Sequence, residues 1–325
     1  MRIVFHGTNA ANFHPGFAPL LDGPHDIAVI PEFPETQADR AAFAAAEVLI
    51  GQSFTPAHPT PANLRLYHSV GAGVDAIDLA VLPAQATLCN VFEHEHAIAE
   101  YVMAALLHRA VNFARADAEL RQGRWPYWGG MQDAAHPEIR GQTIGILGFG
   151  RIGREIAVRA RAFGLTVHAA NRSPIPPGQV NHAYGLDELP AFMGSADTIV
   201  AALPLTPDTA GLVGAAALAA MRPDAVLINV GRGPVVDEQA LYDALKSRRI
   251  GGAVIDTWYQ YPAAGKPTLP SRLAFHELDN IVMTPHMSGW SDGTVGRRRG
   301  IMAANVNHLA RGEALVNVVR AGGEG

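Results

Sequence analysis

The chain has 325 residues, of which 48% are hydrophobic, enough apolar material for two domains of ordinary size. A net charge of −5 without a long Lys/Arg run argues against a nucleic-acid-binding protein, and no apolar stretch is long enough to predict a membrane span. The single cysteine, Cys89, excludes an internal disulfide framework and fits a reducing compartment. Because the sequence also starts directly with a predicted strand, we expect a cytoplasmic protein.

Short apolar runs alternate with helical patterns along the whole chain. This alternation predicts an α/β fold, with parallel sheets that carry helices on both faces and bind ligands at the carboxyl ends of their strands. The predicted strands are residues 2–6, 27–30, 47–51, 64–69, 87–91, 143–147, 166–170, 198–202, 225–230, 252–255 and 281–284.

A long Ala-rich helical pattern, residues 97–120, bridges the two halves of the chain. The Pro/Gly-rich segment after it, residues 123–137, carries Trp125 and Trp128. Two tryptophans in a loop predict burial, either against a second subunit or against their own domain.

The motif G-x-G-x-x-G stands at Gly148, Gly150 and Gly153, after a predicted strand and at the start of a helical pattern. The first glycine permits the tight turn, the second lets a pyrophosphate approach the backbone, and the third lets helix and strand pack closely. The first helical residues, Arg151 and Ile152, present amide groups and the positive end of the helix dipole to the phosphates. A following strand completes a βαβ unit, so the motif predicts a dinucleotide site.

The end of that second strand indicates which dinucleotide is bound. NAD sites usually have an acid there, about 20 residues along, that holds the ribose 2′-OH. This chain has Asn171, 18 positions after Gly153, followed by Arg172 and Ser173. No carboxylate repels a 2′-phosphate, and a guanidinium and a hydroxyl are available to bind one, although Arg172 could also line the adenine of NAD. We predict NADP(H) in preference to NAD(H).

Later strand ends carry further candidate residues. The loop after the strand at 198–202 is expected to meet the cofactor through Leu203, Pro204 and Thr209. Arg232 lies between Gly231 and Gly233; a guanidinium holds a carboxylate with two hydrogen bonds, and flanking glycines would let substrate and nicotinamide come close. His286 follows the last strand and suits proton exchange with a hydroxyl or keto oxygen.

In this order along one chain, the motifs resemble the D-isomer-specific 2-hydroxyacid dehydrogenase family, which includes glyoxylate/hydroxypyruvate, phosphoglycerate, formate and phosphite enzymes. The resemblance covers nearly the whole chain and also includes V-G-A-G-V-D at 70–75, A-I-A-E at 97–100, Asn305 and N-V-V at 317–319.

The resemblance implies two doubly wound parallel-sheet (Rossmann-like) domains with the active-site cleft between them. Residues 1–96 and 291–325 would form the substrate domain, which is flavodoxin-like, and residues 97–290 the dinucleotide-binding domain. It also implies a homodimer built on the dinucleotide-binding domain.

The resemblance further implies roles for single residues. Arg232 would anchor the substrate carboxylate and carbonyl, and His286 would be the acid/base. Backbone donors to the substrate would come from the loop of Val70, Gly71, Ala72 and Gly73. The nicotinamide side would be lined by Val230, Asp256, Ser288 and Gly289.

One departure from the family pattern concerns the partner of the histidine. The family usually has a Glu just before a Pro, five residues after the position of Asp256, and here that residue is Tyr261. We include Tyr261 in the catalytic set, and Glu93 or Glu95 is an alternative source of the missing carboxylate. Formate dehydrogenases have a Gln at the same place, but Gln260 is one position too early to match it.

The leading hypothesis is an NADP(H)-dependent enzyme that acts on the CH–OH group of a small 2-hydroxy acid, or reduces the corresponding 2-keto acid. The alternatives are a formate- or phosphite-type dehydrogenase and a cofactor-binding regulator without catalysis. No metal site is predicted, because the alternating acids and histidines at 93–96 would point to opposite faces of a strand end. The sequence does not identify the 2-hydroxy acid.

Overall fold

The computed structural model describes residues 1–262 and 266–323, which form two compact units. The first consists of Met1–Glu93 and Ser291–Gly325, and the second of His94–Trp290. The substrate and cofactor roles expected of two such parts stay predictions.

The strands and α-helices are, in chain order, β1 (Arg2–His6), α1 (Thr8–Ala11), β2 (Asp26–Ile30), α2 (Gln37–Ala44), β3 (Val48–Gly51), β4 (Leu66–Ser69), β5 (Thr87–Cys89), α3 (Glu95–Ala110), α4 (Phe113–Leu120), β6 (Thr143–Leu147), α5 (Arg151–Ala162), β7 (Thr166–Ala170), β8 (His182–Tyr184), α6 (Leu189–Gly194), β9 (Thr198–Ala201), α7 (Ala215–Ala220), β10 (Val226–Asn229), α8 (Glu238–Lys246), β11 (Gly252–Ile255), β12 (Ile281–Met283), α9 (Asp292–Arg311) and β13 (Val318–Arg320). Short 3-10 turns occur at Ala18–Leu20, Gln132–Ala134, Leu186–Glu188, Gly233–Val235 and Phe275–Glu277.

The sheet of the first unit has the order β13-β5-β4-β3-β1-β2 and is parallel except for β13, which runs antiparallel to β5. Every residue of β3 and β4 is buried, because helices and loops cover both faces of the sheet. On one face, Met302 and Val306 of α9 pack against Ile3 and Phe5 of β1. Cys89 is a buried residue of the core, as its apolar neighbours predict.

The sheet of the second unit is parallel throughout, with the order β12-β11-β10-β9-β6-β7-β8. Helices α3 and α5 cover one face, with Val102 and Ile156 in the same apolar cluster, and α6, α7 and α8 cover the other. From β6 the chain continues through β7 and β8 to one edge of the sheet, and then through β9 to β12 on the other side of β6. The carboxyl ends of β6 and β9 therefore border the crevice where a doubly wound sheet binds its ligand.

The structure corrects one predicted element and adds two strands. The expected helix at 97–120 is two helices: α3 ends at Ala110, Val111 is extended, and the Asn112 side chain caps α4 by accepting from the Arg115 amide. Strands β8 and β13 were not predicted, because each has only three residues and lies at a sheet edge.

The loop tryptophans do not cover their own unit. Trp125 and Trp128 are 61% and 62% exposed, and no residue of α4 is buried. In the described part of the chain, no helix combines the length and the apolar character that a membrane crossing requires.

Candidate active site

The three motif glycines have different surroundings at the carboxyl end of β6. Gly148 has φ +99°, and a Cβ there would lie 3.0 Å from the carbonyl oxygen of Ala202. At Gly153 a Cβ would overlap the carbonyl of Gly148, so helix α5 packs directly on the turn. At Gly150 a Cβ would meet nothing within 4 Å, and no side chain caps α5 there. Open space in front of an uncapped helix start, at Arg151 and the next residues, fits the pyrophosphate of a dinucleotide.

Asn171 ties the end of β7 to the glycine turn. Its Oδ1 accepts a hydrogen bond from the Phe149 amide at 3.2 Å, and its Nδ2 donates to the Ser173 carbonyl at 2.9 Å. Arg172 and Ser173 are exposed beside it. Asn171 stands where NAD sites usually have an acid, and both ends of its side-chain amide are used in these two hydrogen bonds. The positive charge at this strand end belongs to its exposed neighbour, Arg172.

The loop after β9 is shaped by its own hydrogen bonds. The buried Thr209 hydroxyl donates to the Pro204 carbonyl at 2.7 Å and accepts from the Thr206 amide at 2.8 Å. Leu203 is buried, and its side chain lies against the space beside Gly148. Thr209 therefore holds the turn, and the Leu203–Pro204 backbone is the part that lies next to the glycine turn.

Arg232 is held in a turn at the end of β10 by the buried side chain of Asn229. The Asn229 Oδ1 accepts from the Gly231 amide at 3.2 Å, and its Nδ2 donates to the Arg232 carbonyl at 3.1 Å. A Cβ at Gly231 would overlap the Leu203 backbone, and one at Gly233 would overlap the backbone of Trp258. The space beside these two glycines is filled by neighbouring loops, which corrects the expectation that it is left for substrate and nicotinamide.

Asp256, fully buried at the end of β11, organises the loop that carries the histidine. Its carboxylate accepts from the Thr284 hydroxyl at 2.6 Å and from the amides of Met287 and Ser288, each at 2.9 Å. These bonds hold His286 at φ +56°, a left-handed conformation that a residue with a Cβ adopts only when its surroundings enforce it. Both carboxylate oxygens of Asp256 are used in positioning this loop.

Tyr261 is the hydrogen-bond partner of His286. Its phenol oxygen accepts from the Trp258 amide at 3.2 Å and lies 2.9 Å from Nδ1 of His286. The phenol oxygen can accept a second hydrogen bond or donate its own proton, so it can pair with Nδ1 of a neutral His286 as donor or with Nδ1–H as acceptor.

Burial lowers the pKa of His286; the charge of Asp256 opposes this shift and that of Arg232 adds to it. Burial raises the pKa of Tyr261, while the Trp258 amide and the Arg232 charge act against the rise. The guanidinium of Arg232 is therefore close enough to influence both groups. A cation, an imidazole and a neutral phenol converge here, with the buried Asp256 behind them.

Three more predicted residues of the second unit follow its strands β10 and β12. Val230 and Ser288 are buried, and Gly289 lies against the side chain of His94. Glu95 is buried at the first turn of α3, with His94 Nδ1 3.9 Å from its carboxylate. In the first unit, Glu93 forms an ion pair with Arg297 at 3.3 Å.

In the first unit, the predicted substrate loop is Val70 to Gly73. All four of its carbonyl groups are hydrogen-bonded to neighbouring residues. Each carbonyl accepts a hydrogen bond, from Arg298 Nη1 at Val70, the Val91 amide at Gly71, Asn90 Nδ2 at Ala72 and Gln52 Nε2 at Gly73. The Val70 amide donates to the Gly51 carbonyl and the Gly71 amide to the Ser69 hydroxyl, so the amides that this loop can offer to an anion are those of Ala72 and Gly73. Sequence reasoning missed Arg298, Asn90 and Gln52, because they are distant along the chain.

Comparison with known proteins places the chain in a family. Residues 103–288 match the model of the NAD-binding domain of D-isomer-specific 2-hydroxyacid dehydrogenases. The chain belongs to this family. The match contains the glycine turn, Arg232, Asp256 and His286.

The family resemblance extends to individual proteins. The chain is 34% identical to a glycerate dehydrogenase of Methylorubrum extorquens over 266 residues, 80% of each chain. It is 31% identical to a D-3-phosphoglycerate dehydrogenase of Methanocaldococcus jannaschii over 262 residues, which are 79% of this chain and 48% of the relative, so it spans about half the length of that protein. The crystal structure of a family member from Aeromonas salmonicida has 26% identity and a TM-score of 0.79, and covers 98% of both chains.

Proposed function

We propose that this family member is an NADP(H)-dependent oxidoreductase that interconverts a small 2-keto acid and the D-2-hydroxy acid. The observation that carries the proposal is the Tyr261–His286 hydrogen bond beside the charge of Arg232. The group lies in the unit that also contains the glycine turn, and it joins an anion-binding cation to a proton-exchanging imidazole.

The cofactor would be held mainly by backbone. The amides at the start of α5 and the open space at Gly150 fit the pyrophosphate, and Arg172 and Ser173 fit a 2′-phosphate. The bound nicotinamide supplies the hydride. An acid in place of Asn171 would favour NAD(H), so the preference for NADP(H) rests on this position and on the Arg172 charge.

In reduction, Arg232 would pair with the substrate carboxylate and polarise the keto oxygen, and His286 would give a proton to that oxygen from Nε2. The working acid is the imidazolium, since the neutral ring is far too weak an acid. The phenol of Tyr261 can accept the hydrogen bond from Nδ1 of this imidazolium. Tyr261 thus acts as a positioning residue that, unlike a carboxylate, adds no negative charge to favour the charged ring.

The presence of Tyr261 instead of a carboxylate beside His286 favours a second candidate, a formate- or phosphite-type oxidation. A hydride transfer without proton transfer to the histidine needs no imidazolium, and Tyr261 supplies no negative charge that would favour one. The proposed keto-acid reaction is preferred, because Gln260 does not match the formate enzymes and because the M. extorquens relative acts on glycerate.

Steady-state kinetics separates the candidates. NADPH oxidation is followed with glyoxylate, hydroxypyruvate and phenylpyruvate, and NADP⁺ reduction with formate and phosphite, each against NADH or NAD⁺. We expect turnover with at least one keto acid and none with formate or phosphite. Turnover with formate or phosphite alone would establish the second candidate, and NADPH binding without any turnover would indicate a regulator.

We also propose a homodimer, through the apolar surface made by α4 and the loop that follows it. Phe113, Trp125 and Trp128 are exposed there, at 74%, 61% and 62%. Exposed apolar patches of this kind mark interaction sites. Light scattering should give the mass of two chains for the wild type and of one chain for a Trp125→Ser, Trp128→Ser variant. The predicted cytoplasmic location rests on the single cysteine.

A further inference from the structure

Two histidines and a glutamate meet at the carboxyl edge of the first unit's sheet. His6 is the last residue of β1, Glu32 follows β2, and His58 lies in the loop after β3. One ligand atom from each of the three lies within 4.8 Å of the others. No residue of the site proposed above belongs to this cluster.

We propose that His6, Glu32 and His58 bind one divalent transition metal ion of the zinc class. Two imidazoles and a carboxylate form a ligand set that zinc accepts, with a water in the fourth position. Bonds of about 2.0–2.2 Å to a tetrahedral ion place ligand atoms roughly 3.3 Å apart, so the cluster has to contract slightly on binding. The side chain of Glu32 is 37% exposed and provides the entry path.

The sheet order places the cluster where a ligand is expected. Strand β1 lies between β2 and β3, so the chain leaves β1 toward one side and returns on the other. The crevice outside the carboxyl ends of β1 and β3 is the switch point of this sheet, the usual ligand position in open α/β sheets.

His6 has a nitrogen ready to bind metal. Tyr67 donates its hydroxyl proton to the Ser53 carbonyl at 2.7 Å, so it accepts from Nε2–H of His6 at 2.9 Å. This leaves the lone pair on Nδ1, which is buried and makes no hydrogen bond of normal geometry among the residues that the structure describes.

The other two ligands are held by neighbouring hydroxyl groups. Ser53 Oγ donates to the Glu32 carboxylate. Nδ1 of His58 lies 3.1 Å from the Thr55 amide and 3.2 Å from its hydroxyl, and Nε2 donates to the Glu32 carbonyl at 3.1 Å. Without metal His58 therefore carries its proton on Nε2. Binding through Nε2 moves this proton to Nδ1, where a bond donated to the Thr55 hydroxyl replaces the bond accepted from the Thr55 amide.

Two glycines leave room for the ligands. A Cβ at Gly51 would overlap the His6 ring, and a Cβ at Gly7 would overlap the Glu32 carboxylate. The ion would join the ends of three segments of the first unit, so binding should stabilise that unit. The proposal departs from the sequence prediction of no metal site, which considered only residues 93–96.

The test is a calorimetric titration of the chelator-treated full chain with zinc, repeated with cobalt to record the visible spectrum. We expect one ion per chain, a tetrahedral cobalt spectrum and a higher Tm with zinc. Glu32→Gln keeps the side-chain volume at a half-exposed position, and should lower the affinity by about tenfold or more and abolish the rise in Tm. His58→Gln should remove the cobalt spectrum.

Matched controls are Glu35→Gln, an exposed acid nearby, and His108→Gln, an exposed histidine of the second unit. Both should bind zinc as the wild type does. The proposal fails if the wild type binds no zinc, or if it binds zinc with an affinity unchanged in Glu32→Gln and His58→Gln, which would mean adventitious surface binding. Circular dichroism and NADPH binding verify that each variant is folded.

Discussion

The phenol of Tyr261 lies 2.9 Å from Nδ1 of His286 while it accepts a hydrogen bond from the Trp258 amide at 3.2 Å. The amide holds the phenol beside the imidazole. The family pattern has a carboxylate at this position, which favours the charged ring; this chain has a neutral phenol, which supplies no such charge.

A negative charge in place of Tyr261 should therefore move the pH profile of keto-acid reduction. Burial lowers the pKa of His286, so the imidazolium, and with it kcat/KM, is lost as the pH rises through that lowered pKa. Tyr261→Glu adds a negative charge beside the imidazole and should shift the basic limb upward. Tyr261→Phe removes the hydrogen bond without adding a charge and should leave the basic limb close to that of the wild type.

Tyr259→Phe is the control for this experiment, since the Tyr259 hydroxyl donates to the Val236 carbonyl at 3.0 Å and does not contact His286. Its profile should match the wild type. If all three variants keep the wild-type basic limb, His286 is not the titrating acid and the proton-transfer mechanism is wrong.

Arg232→Ala should lower kcat/KM for the keto acid by about two to three orders of magnitude, the usual cost of removing a preorganised group that stabilises developing charge. The Kd for NADPH should stay nearly constant, because Arg232 is assigned to the substrate. Arg232→Lys should restore only part of the activity, since an ammonium cannot form the two parallel bonds. Near-normal turnover of Arg232→Ala would remove this residue from the proposed site.

Cofactor preference should respond to the residues after β7. Arg172→Ala should raise KM for NADPH by about tenfold or more and leave KM for NADH almost unchanged, because one charge-assisted bond to the 2′-phosphate is lost. Asn171→Asp should shift preference toward NADH by repulsion of the same phosphate. It should also lose the bond to the Ser173 carbonyl, although the bond from the Phe149 amide remains possible.

Asn181→Asp is the matched control, because Asn181 also accepts from a backbone amide, that of Val167 at 2.9 Å, on the neighbouring strand edge. It should leave the ratio of kcat/KM for the two cofactors unchanged. A wild type that already prefers NADH would contradict the NADP(H) proposal.

His68 should make the stability of the first unit sensitive to acid. Its Nδ1 donates to the Ser69 carbonyl at 2.9 Å, and its Nε2 accepts from Asn305 at 2.9 Å, so the ring is neutral. Burial lowers its pKa from 6.5 to about 4. Between pH 6.5 and about pH 4, His68 is therefore protonated in the unfolded chain but not in the folded chain. The free energy of unfolding should fall by about 3 kcal/mol as the pH drops through this range.

Urea unfolding followed by circular dichroism, at about pH 7.5 and about pH 5, measures this loss. His68→Gln should show a smaller difference between the two pH values than the wild type. His108→Gln, an exposed histidine, should keep the wild-type difference. Equal differences in all three proteins would show that His68 is already protonated in the folded state or does not contribute.

The sequence by itself determined the fold class, most strands and the family, because these depend on local patterns. The strand at 143–147 and the glycines after it carry their information within a dozen residues, and the periodicity of apolar residues decides which faces are buried. The short edge strands β8 and β13 and the break at Val111 escaped, since a three-residue strand leaves almost no pattern and a helix break needs a single residue.

Only the tertiary structure decided which polar groups meet. It shows that Tyr261 bonds His286, that Asp256 holds the His286 loop, and that the space beside Gly231 is filled by backbone. It also brings His6 close to His58, 52 positions away in the chain. Such contacts depend on where separate strands end and which loops pack on them, and hydrogen bonds between distant residues leave no local pattern in the sequence.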